Sequence, residues 1–238
     1  MRAFQPVELI LSCEHGGNRV PARYRGVFFE TLLATHRGYD PGALTVARDF
    51  AAATGARLFY STISRLLVEL NRPLGHHQIF SARALRLPAA AREELLQRYY
   101  FPYWNSVEMS VARALRRGRR VLHLSCHSFA PRLAGVVRNT DVGLLFDPRR
   151  AHEARFCNLW RDALRERAPH LRVRENYPYR GTTDSLTTSL RKEFAARHYL
   201  GISLEINQKF PRGDERRWRE LRANLTASLG DALAVFHA

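Results

Sequence analysis

Short apolar runs alternate along the chain with longer amphipathic segments. Six runs have the length and composition of buried strands, at residues 7–12, 57–62, 66–70, 121–125, 142–146 and 201–206. Five segments have helical periodicity, at residues 41–54, 89–117, 149–167, 184–197 and 214–236. Strands that alternate with helices of this length indicate an α/β protein. We therefore predict a three-layer α/β sandwich with a mixed, mostly parallel central sheet.

The size and apolar content of the chain suit one globular domain. Its 238 residues are 45% hydrophobic, which suffices for a full core, and no repeat or linker divides it. We predict a single domain over residues 1–238. No apolar run approaches the roughly 18 to 20 residues needed to cross a bilayer, and the N-terminus lacks the features of a signal peptide. We therefore expect a cytoplasmic protein without a membrane partner.

The formal net charge of +16 would suit a nucleic-acid partner, because basic side chains neutralise phosphates. Lys192 and Lys209 are the only lysines, so 36 of the 38 basic residues are arginines, and these are spread along the chain. No zinc-finger, RNP1 or KH signature accompanies the charge. The charge alone therefore does not predict nucleic-acid binding as the main function.

Reactive side chains follow four of the predicted strands. They are Glu14 and His15 after the first strand, Asn71 and Arg72 after the third, His127 after the fourth, and Glu205 late in the sixth. In open α/β sheets, ligands bind at the carboxyl ends of the strands, where the loops diverge. We therefore expect these four segments to deliver polar groups to one edge of the sheet.

The two histidines at strand ends point to a metal. His15 stands in the sequence "SCEHGG" and His127 in "SCHS", so each ends an apolar strand in a similar local pattern. Imidazole nitrogen and carboxylate oxygen suit Zn²⁺, and a catalytic zinc has three protein ligands and a water. Gly16 and Gly17 would let the backbone turn sharply beside the ion. The pattern thus predicts a zinc site.

Several motifs resemble the N-formylglutamate amidohydrolase family. They are "SCEHGGNRVP", "SRLLVELNRP", "CHSF", "RNTDVGLL", "NYPYRG" and "LEINQ", and they span nearly the whole chain. That family is distantly similar to the zinc carboxypeptidases and to the succinylglutamate desuccinylase and aspartoacylase group. The resemblance implies a zinc-carboxypeptidase-like fold and a zinc cofactor. It also implies that His15 and His127 are zinc ligands and that Glu205 is the general base.

The sequence departs from the His-x-x-Glu pattern of those relatives. The third position after His15 is Asn18, where the pattern has a glutamate. Glu14 is the nearest carboxylate, and an anionic ligand helps to offset the charge of the ion. We predict Glu14 as the third ligand, with the amide oxygen of Asn18 as the alternative.

Other motifs supply candidates for substrate binding. Asn71 and Arg72 resemble the Asn-Arg pair with which zinc carboxypeptidases bind a substrate carboxylate, and the fork of an arginine suits that task. Arg138 and Arg65 are further candidates, ranked after Arg72. In the loop "NYPYRG", Tyr179 or its neighbour Tyr177 could hydrogen-bond to the substrate.

These residues together predict a zinc-dependent amidohydrolase. It would cleave a short N-acyl amino acid with a carboxylate, such as N-formyl-L-glutamate, into a carboxylic acid and a free amino acid, with Glu205 as the base for the attacking water. One alternative is a family member that is non-catalytic or has another specificity, and that binds an acidic ligand or nucleic acid through its arginines. Another is a hydrolase with Cys126 or Ser128 as nucleophile, although no G-x-S-x-G motif is present.

Overall fold

The computed structural model describes residues 6–237. Within them lie the strands β1 (Val7–Cys13), β2 (Arg57–Tyr60), β3 (Arg120–Phe129), β4 (Arg132–Leu133), β5 (Val136–Val137), β6 (Val142–Leu145), β7 (Val173–Glu175) and β8 (Tyr199–Asn207). The same range contains the helices α1 (Glu30–Leu33), α2 (Ala43–Thr54), α3 (Ala89–Leu95), α4 (Phe101–Arg116), α5 (Ala151–Arg167), α6 (Leu186–Glu193) and α7 (Glu215–His237). The predicted α/β class is confirmed.

Six of the strands form the central sheet, in the order β2-β1-β3-β8-β6-β7. The pairs β1–β2, β1–β3, β3–β8 and β6–β7 are parallel, and only β6 and β8 are antiparallel among these neighbours. The sheet is therefore mixed and mostly parallel, as predicted. Along β8 and nearly all of β3, every residue is buried, as expected for strands covered on both faces.

Helices cover both faces of the sheet and give the predicted three layers. On one face, α2, α5 and α7 pack on the strands around a buried core. On the other face, α3, α4 and α6 join the loops near β1 and β2 in a second buried cluster. None of the helices in residues 6–237 combines the length and apolarity needed to cross a membrane.

One predicted strand is wrong. Residues 66–70 are buried but form turns and irregular backbone, and the amide of Glu69 bonds to the carbonyl of Ile79 outside the sheet. An apolar run of this length fits a buried loop under a helix as well as it fits a strand, so its pattern did not distinguish the two. The short strands β4, β5 and β7 were not predicted, and the helix predicted over residues 184–197 is the shorter α6.

The helix predicted over residues 89–117 contains a π turn. Leu96–Tyr100 joins α3 to α4, and Pro102 follows in the first turn of α4. Pro102 has no N–H to donate to the carbonyl four residues earlier, and such a gap favours a widened turn. Beyond the π turn, the Trp104 indole N–H donates to the carbonyl of Leu70 at 2.8 Å. The helix thereby fixes the buried loop over residues 66–70.

Candidate metal centre and active-site pocket

The predicted edge of the sheet carries a pocket of about 170 Å³. His15 follows the end of β1, and His127 lies near the end of β3 in register with Glu205 of β8. All three side chains line the pocket and are buried. The structure therefore brings together the three residues that sequence reasoning placed at strand ends.

Asp40 joins the two histidines. Its Oδ2 atom lies 3.2 Å from Nδ1 of His15 and 2.9 Å from Nδ1 of His127. The three residues each offer one donor atom, and these atoms lie within 4.8 Å of one another. Two imidazoles and a carboxylate are a ligand set that suits zinc. Sequence reasoning missed Asp40, because an aspartate just before a predicted helix is usually interpreted as part of its N-terminal cap.

The second nitrogen of each histidine faces a carboxylate. Nε2 of His15 contacts Glu69, and Nε2 of His127 lies 3.0 Å from Oε2 of Glu14. Such carboxylates fix the orientation of histidines that hold a metal through their other nitrogen. Glu69, which sequence reasoning also missed, lies in the buried loop that was predicted as a strand.

Glu14, predicted as the third ligand, lies on the other side of the His127 ring from Asp40. Its carboxylate accepts hydrogen bonds from Tyr103 at 3.1 Å and from Ser125 at 2.7 Å. The alternative, Asn18, is exposed and donates its amide to a backbone carbonyl in α1 at 3.2 Å. Neither residue belongs to the converging group of donor atoms around Asp40.

The chain turns where the glycines predicted it, with a turn at residues 14–15 and a bend at Gly16, and both glycines also allow two loops to approach closely. A Cβ at Gly16 would lie 2.9 Å from the carbonyl oxygen of Ser61, and one at Gly17 would lie 2.8 Å from that of Thr62. Side chains at these positions would therefore collide with the segment that follows β2. The glycines let the loop after β1 pack closely on its neighbour, and this packing sets the place of His15 at the pocket.

Buried carboxylates stabilise positive charge where the histidines meet. Burial opposes protonation of His127, but the hydrogen bonds that its ring donates to Asp40 and Glu14 raise its pKa well above the usual value. Burial also opposes ionisation of Glu14, yet its hydrogen bond and attraction to His127 lower its pKa to about 2. The pKa of His15 is raised by Glu69 and Asp40 against burial and the charge of Arg65. The site is therefore electrostatically suited to a cation.

Glu205 differs from the other carboxylates of the site. It is 6% exposed, and among the described residues its Oε2 atom has no hydrogen-bond partner. Burial raises its pKa to about 7, although the positive charge at His127 acts in the opposite direction. A buried carboxylate with a free oxygen in a pocket and a pKa near neutrality is a candidate general base.

The predicted substrate-binding residues divide into three groups. Asn71, Arg72 and Tyr179 line the pocket, with Arg72 donating to the backbone carbonyl of Asp184. Arg65 also lines the pocket, but its guanidinium is bound to two carboxylates beside His15, at 2.8 Å from Glu69 and 3.3 Å from Asp40.

Arg138 and Tyr177 are absent from the lining of the pocket. The guanidinium of Arg138 donates to the Tyr179 hydroxyl at 3.1 Å, so it contacts the pocket through that tyrosine. Tyr177 packs beneath the guanidinium of Arg174, whose central carbon lies 4.5 Å from the ring centroid.

Arg180 lines the pocket and was not among the predicted residues. It is exposed, and within residues 6–237 its side chain makes no hydrogen bond or ion pair in the structure. The only signal in the sequence was its place beside Tyr179 in the motif "NYPYRG". The pocket thus combines the candidate metal centre, a buried carboxylate and three arginines, of which Arg72 and Arg180 are not bound to carboxylates.

The sequence model of the N-formylglutamate amidohydrolase family matches residues 7–210. The chain belongs to the N-formylglutamate amidohydrolase family. The resemblance noted from its motifs is thereby confirmed. Membership of an amidohydrolase family supports the prediction that the chain is a hydrolase. The matched range includes every residue that lines the pocket.

Two solved structures share the fold of this chain over nearly its whole length. A gene product of Agrobacterium tumefaciens is 27% identical with a TM-score of 0.80, over 97% of this chain and 92% of its own. The N-formylglutamate amidohydrolase of Ralstonia eutropha is 22% identical with a TM-score of 0.71, over 98% of this chain and 96% of its own. A more distant match, a metallo-carboxypeptidase of Burkholderia cenocepacia, is 14% identical with a TM-score of 0.37, over 97% of this chain and 58% of its own. No curated protein matches the sequence.

The cysteine alternative conflicts with the geometry of this amidohydrolase fold. Cys126 is fully buried in the core, and its burial raises the pKa of the thiol. A thiol with a raised pKa supplies little of the thiolate that attacks a carbonyl. Ser128 lines the pocket, but its hydroxyl donates to the carbonyl of Pro41 at 2.8 Å and not to a histidine.

Proposed function

We propose that this chain hydrolyses the amide bond of a short N-acyl amino acid that carries a carboxylate, such as N-formyl-L-glutamate, with the help of zinc. The products would be a carboxylic acid and a free amino acid. His15, His127 and Asp40 would hold the metal, and Glu205 would act as general base. Asp40 takes the place that we predicted for Glu14, which orients His127 in this proposal.

The observation that carries the proposal is the free oxygen of Glu205 in the same pocket as the three donor residues. A buried carboxylate without a partner is costly, so natural structures rarely contain one without a functional reason. In the metal-free site, burial raises the pKa of Glu205 to about 7, so both protonation states are accessible near neutral pH. A group that must first accept and then release a proton needs this property.

The residues at the centre fit a zinc ion. His15, His127 and Asp40 supply two nitrogens and one oxygen, and three protein ligands leave one position for water or substrate. Glu69 and Glu14 face the other ring nitrogens of the two histidines and would hold the rings in the orientation that binds the metal. A zinc ion held there would polarise the acyl carbonyl and lower the pKa of a water molecule that it binds.

The side chains of the pocket would perform the remaining steps. Glu205 accepts a proton from the attacking water and then delivers it to the nitrogen of the leaving amino acid. Asn71 lies 3.2 Å from Nε2 of His127 and accepts a hydrogen bond from the amide of Leu186, so it couples the metal centre to the N-terminus of α6. Arg72 and Arg180 would bind the carboxylates of the substrate through charge-assisted hydrogen bonds.

Metal content and turnover measured on the same preparation test this function. Protein purified without chelator should contain about one zinc per chain and should release glutamate from N-formyl-L-glutamate. His15→Ala and His127→Ala should lose the metal and the activity together while remaining folded by circular dichroism. Full zinc occupancy in either variant would contradict the ligand assignment. Undiminished turnover after complete removal of zinc would contradict the metal-dependent mechanism.

A further inference from the structure

We propose that Arg191 is a positioning residue, which holds the substrate-binding loop over residues 179–184 at a fixed distance from β8, the strand that carries Glu205. This inference rests on the proposed function for its kinetic consequence. Arg191 does not line the pocket, so it would act through the loop and not on the substrate.

The guanidinium of Arg191 joins two segments of backbone inside the protein. One terminal nitrogen donates to the carbonyl of Gly181 in the loop, and the other donates to the carbonyl of Gly201 in β8. Arg191 is 7% exposed, so these bonds are shielded from solvent. Because the guanidinium is planar and rigid, the two carbonyls are held in one relative position.

A buried carboxylate keeps Arg191 in place. Oε1 of Glu153 lies 3.0 Å from Nε of Arg191 and accepts the backbone amide of Gly201 at 3.0 Å. Oε2 of Glu153 accepts the amide of Asp147 at 3.0 Å. Both oxygens of this carboxylate are thus used. Glu153 compensates the charge of Arg191 inside the protein.

Gly181 is the point at which the loop is fixed. Its amide donates to Oδ1 of Asn176 at 2.9 Å, and the same oxygen accepts the amide of Phe146 at 3.1 Å. A Cβ at Gly181 would lie 2.2 Å from the nitrogen of Phe146, so only glycine allows this approach. Arg191 therefore binds the loop from one side while Asn176 and Phe146 bind it from the other.

The fixed loop supplies a large part of the pocket wall. The pocket residues from this segment are Tyr179, Arg180, Gly181, Thr183 and Asp184. Four of them are exposed and are held from outside the loop through partly exposed contacts, including those with Arg138, Arg72 and Thr188, whereas Gly181 is buried. Loosening of Gly181 would therefore let these side chains move relative to Glu205, and a shift of about 1 Å in a binding group can cost up to about 100-fold in activity.

The variant Arg191→Lys tests the inference. Lysine keeps the positive charge beside Glu153, but its single ammonium cannot donate to Glu153, Gly181 and Gly201 at once as the planar guanidinium does. We expect KM for N-formyl-L-glutamate to rise by about 10-fold or more, with zinc content unchanged and kcat close to that of the wild type. Hydrogen–deuterium exchange of the peptide covering residues 179–184 should become faster.

Arg150→Lys is the matched control. Arg150 donates to the backbone carbonyls of Tyr199 at 3.1 Å, of Phe194 at 3.4 Å and of Arg191 itself, but it touches neither the loop nor the guanidinium of Arg191. This variant should lose comparable hydrogen bonds without a change in KM or in loop exchange. If Arg191→Lys does not fold, the same measurements are made on the double variant Glu153→Gln/Arg191→Gln. This variant removes both buried charges together, so neither is left unpaired.

The exchange measurement separates this inference from the proposed function. Unchanged exchange of the loop in a folded Arg191 variant would overturn it, whether or not the protein turns over N-formyl-L-glutamate. Faster exchange with an unchanged KM would also overturn it, because the loop would then not position the substrate. Absence of turnover in the zinc-loaded wild type would refute the proposed function. Hydrogen–deuterium exchange alone would then decide whether Arg191 holds the loop.

Discussion

Oδ2 of Asp40 lies 2.9 Å from Nδ1 of His127, although the two residues are 87 positions apart in the sequence. The other nitrogen of the same ring faces Glu14 at 3.0 Å. The ring therefore separates two carboxylates that have different tasks in our proposal. Asp40 lies on the side where the donor atoms converge, and Glu14 lies behind the ring.

Substitution of these two carboxylates should have unequal effects on the metal. Asp40→Asn removes the anionic ligand and should abolish stable zinc retention. Glu14→Gln leaves the three ligands in place and should weaken zinc affinity by about 10- to 100-fold, as is usual for an outer-shell partner. Competition titrations with a zinc chelator measure both affinities. If Glu14→Gln loses zinc completely while Asp40→Asn keeps it, the two roles are reversed.

Glu205→Gln should retain zinc and lose turnover. The amide is nearly isosteric with the carboxylate, but it cannot accept the proton of the attacking water. The loss should appear in kcat and amount to about 10²- to 10⁴-fold, the usual contribution of a general base. Steady-state kinetics on N-formyl-L-glutamate, with zinc content measured in parallel, test this. A near-normal kcat in the zinc-loaded variant would remove Glu205 from the mechanism.

The same substitution should change how the stability of the metal-free protein depends on pH. Burial raises the pKa of Glu205 to about 7 from its ordinary value of 4.5, so between these values the folded state binds more protons than the unfolded state. The free energy of unfolding of the wild type therefore decreases as pH rises through this window. At pH 8 the ionised carboxylate destabilises the fold by up to about 3 kcal/mol.

Glutamine cannot ionise, so Glu205→Gln should lack this loss of stability. Urea denaturation of chelator-treated protein at several pH values from 5 to 8 should show the variant gaining stability relative to the wild type as pH rises. Comparison across pH cancels any constant effect of placing an amide at this position. A difference between the two proteins that does not vary with pH would contradict the raised pKa.

Arg180 and Arg72 should contribute to substrate affinity and not to the chemical step. Each alanine substitution should raise KM for N-formyl-L-glutamate by about 10- to 100-fold, the worth of a charge-assisted hydrogen bond. Arg138→Ala should have a smaller effect, because Arg138 touches the pocket only through Tyr179. Kinetics with N-formyl-L-glutamine identify which arginine binds the side-chain carboxylate. An unchanged KM in both alanine variants would exclude these arginines as the carboxylate site.

The sequence was sufficient to predict the residues at strand ends. His15, His127 and Glu205 each belong to an apolar run, and parallel strands deliver the residues at their carboxyl ends to one edge. The local pattern therefore contained their place in the fold, and their chemical roles remain part of our proposal. For the same reason, the α/β class and the mixed sheet could be predicted from alternating apolar and amphipathic segments.

Asp40 and Glu69 could not be predicted in this way, because tertiary contacts alone define their roles. Asp40 stands in a loop before α2, 25 positions after His15, and nothing adjacent in the sequence marks it as a partner of two histidines. Glu69 lies in an apolar segment that was predicted as a strand and is a buried loop. The closeness of these carboxylates to the histidines results from packing between segments far apart in the chain.

The order of strands in the sheet has a consequence during synthesis on the ribosome. β8 is made after all other strands of the sheet, yet it lies between β3 and β6. Before it emerges, β2, β1 and β3 can pair, but β3 keeps an open edge, and β6 and β7 have no strand that links them to the rest. Open apolar edges promote association between chains. Translation that stalls between β7 and β8 therefore leaves an aggregation-prone nascent chain, which already contains His15, Asp40 and His127 but not Glu205.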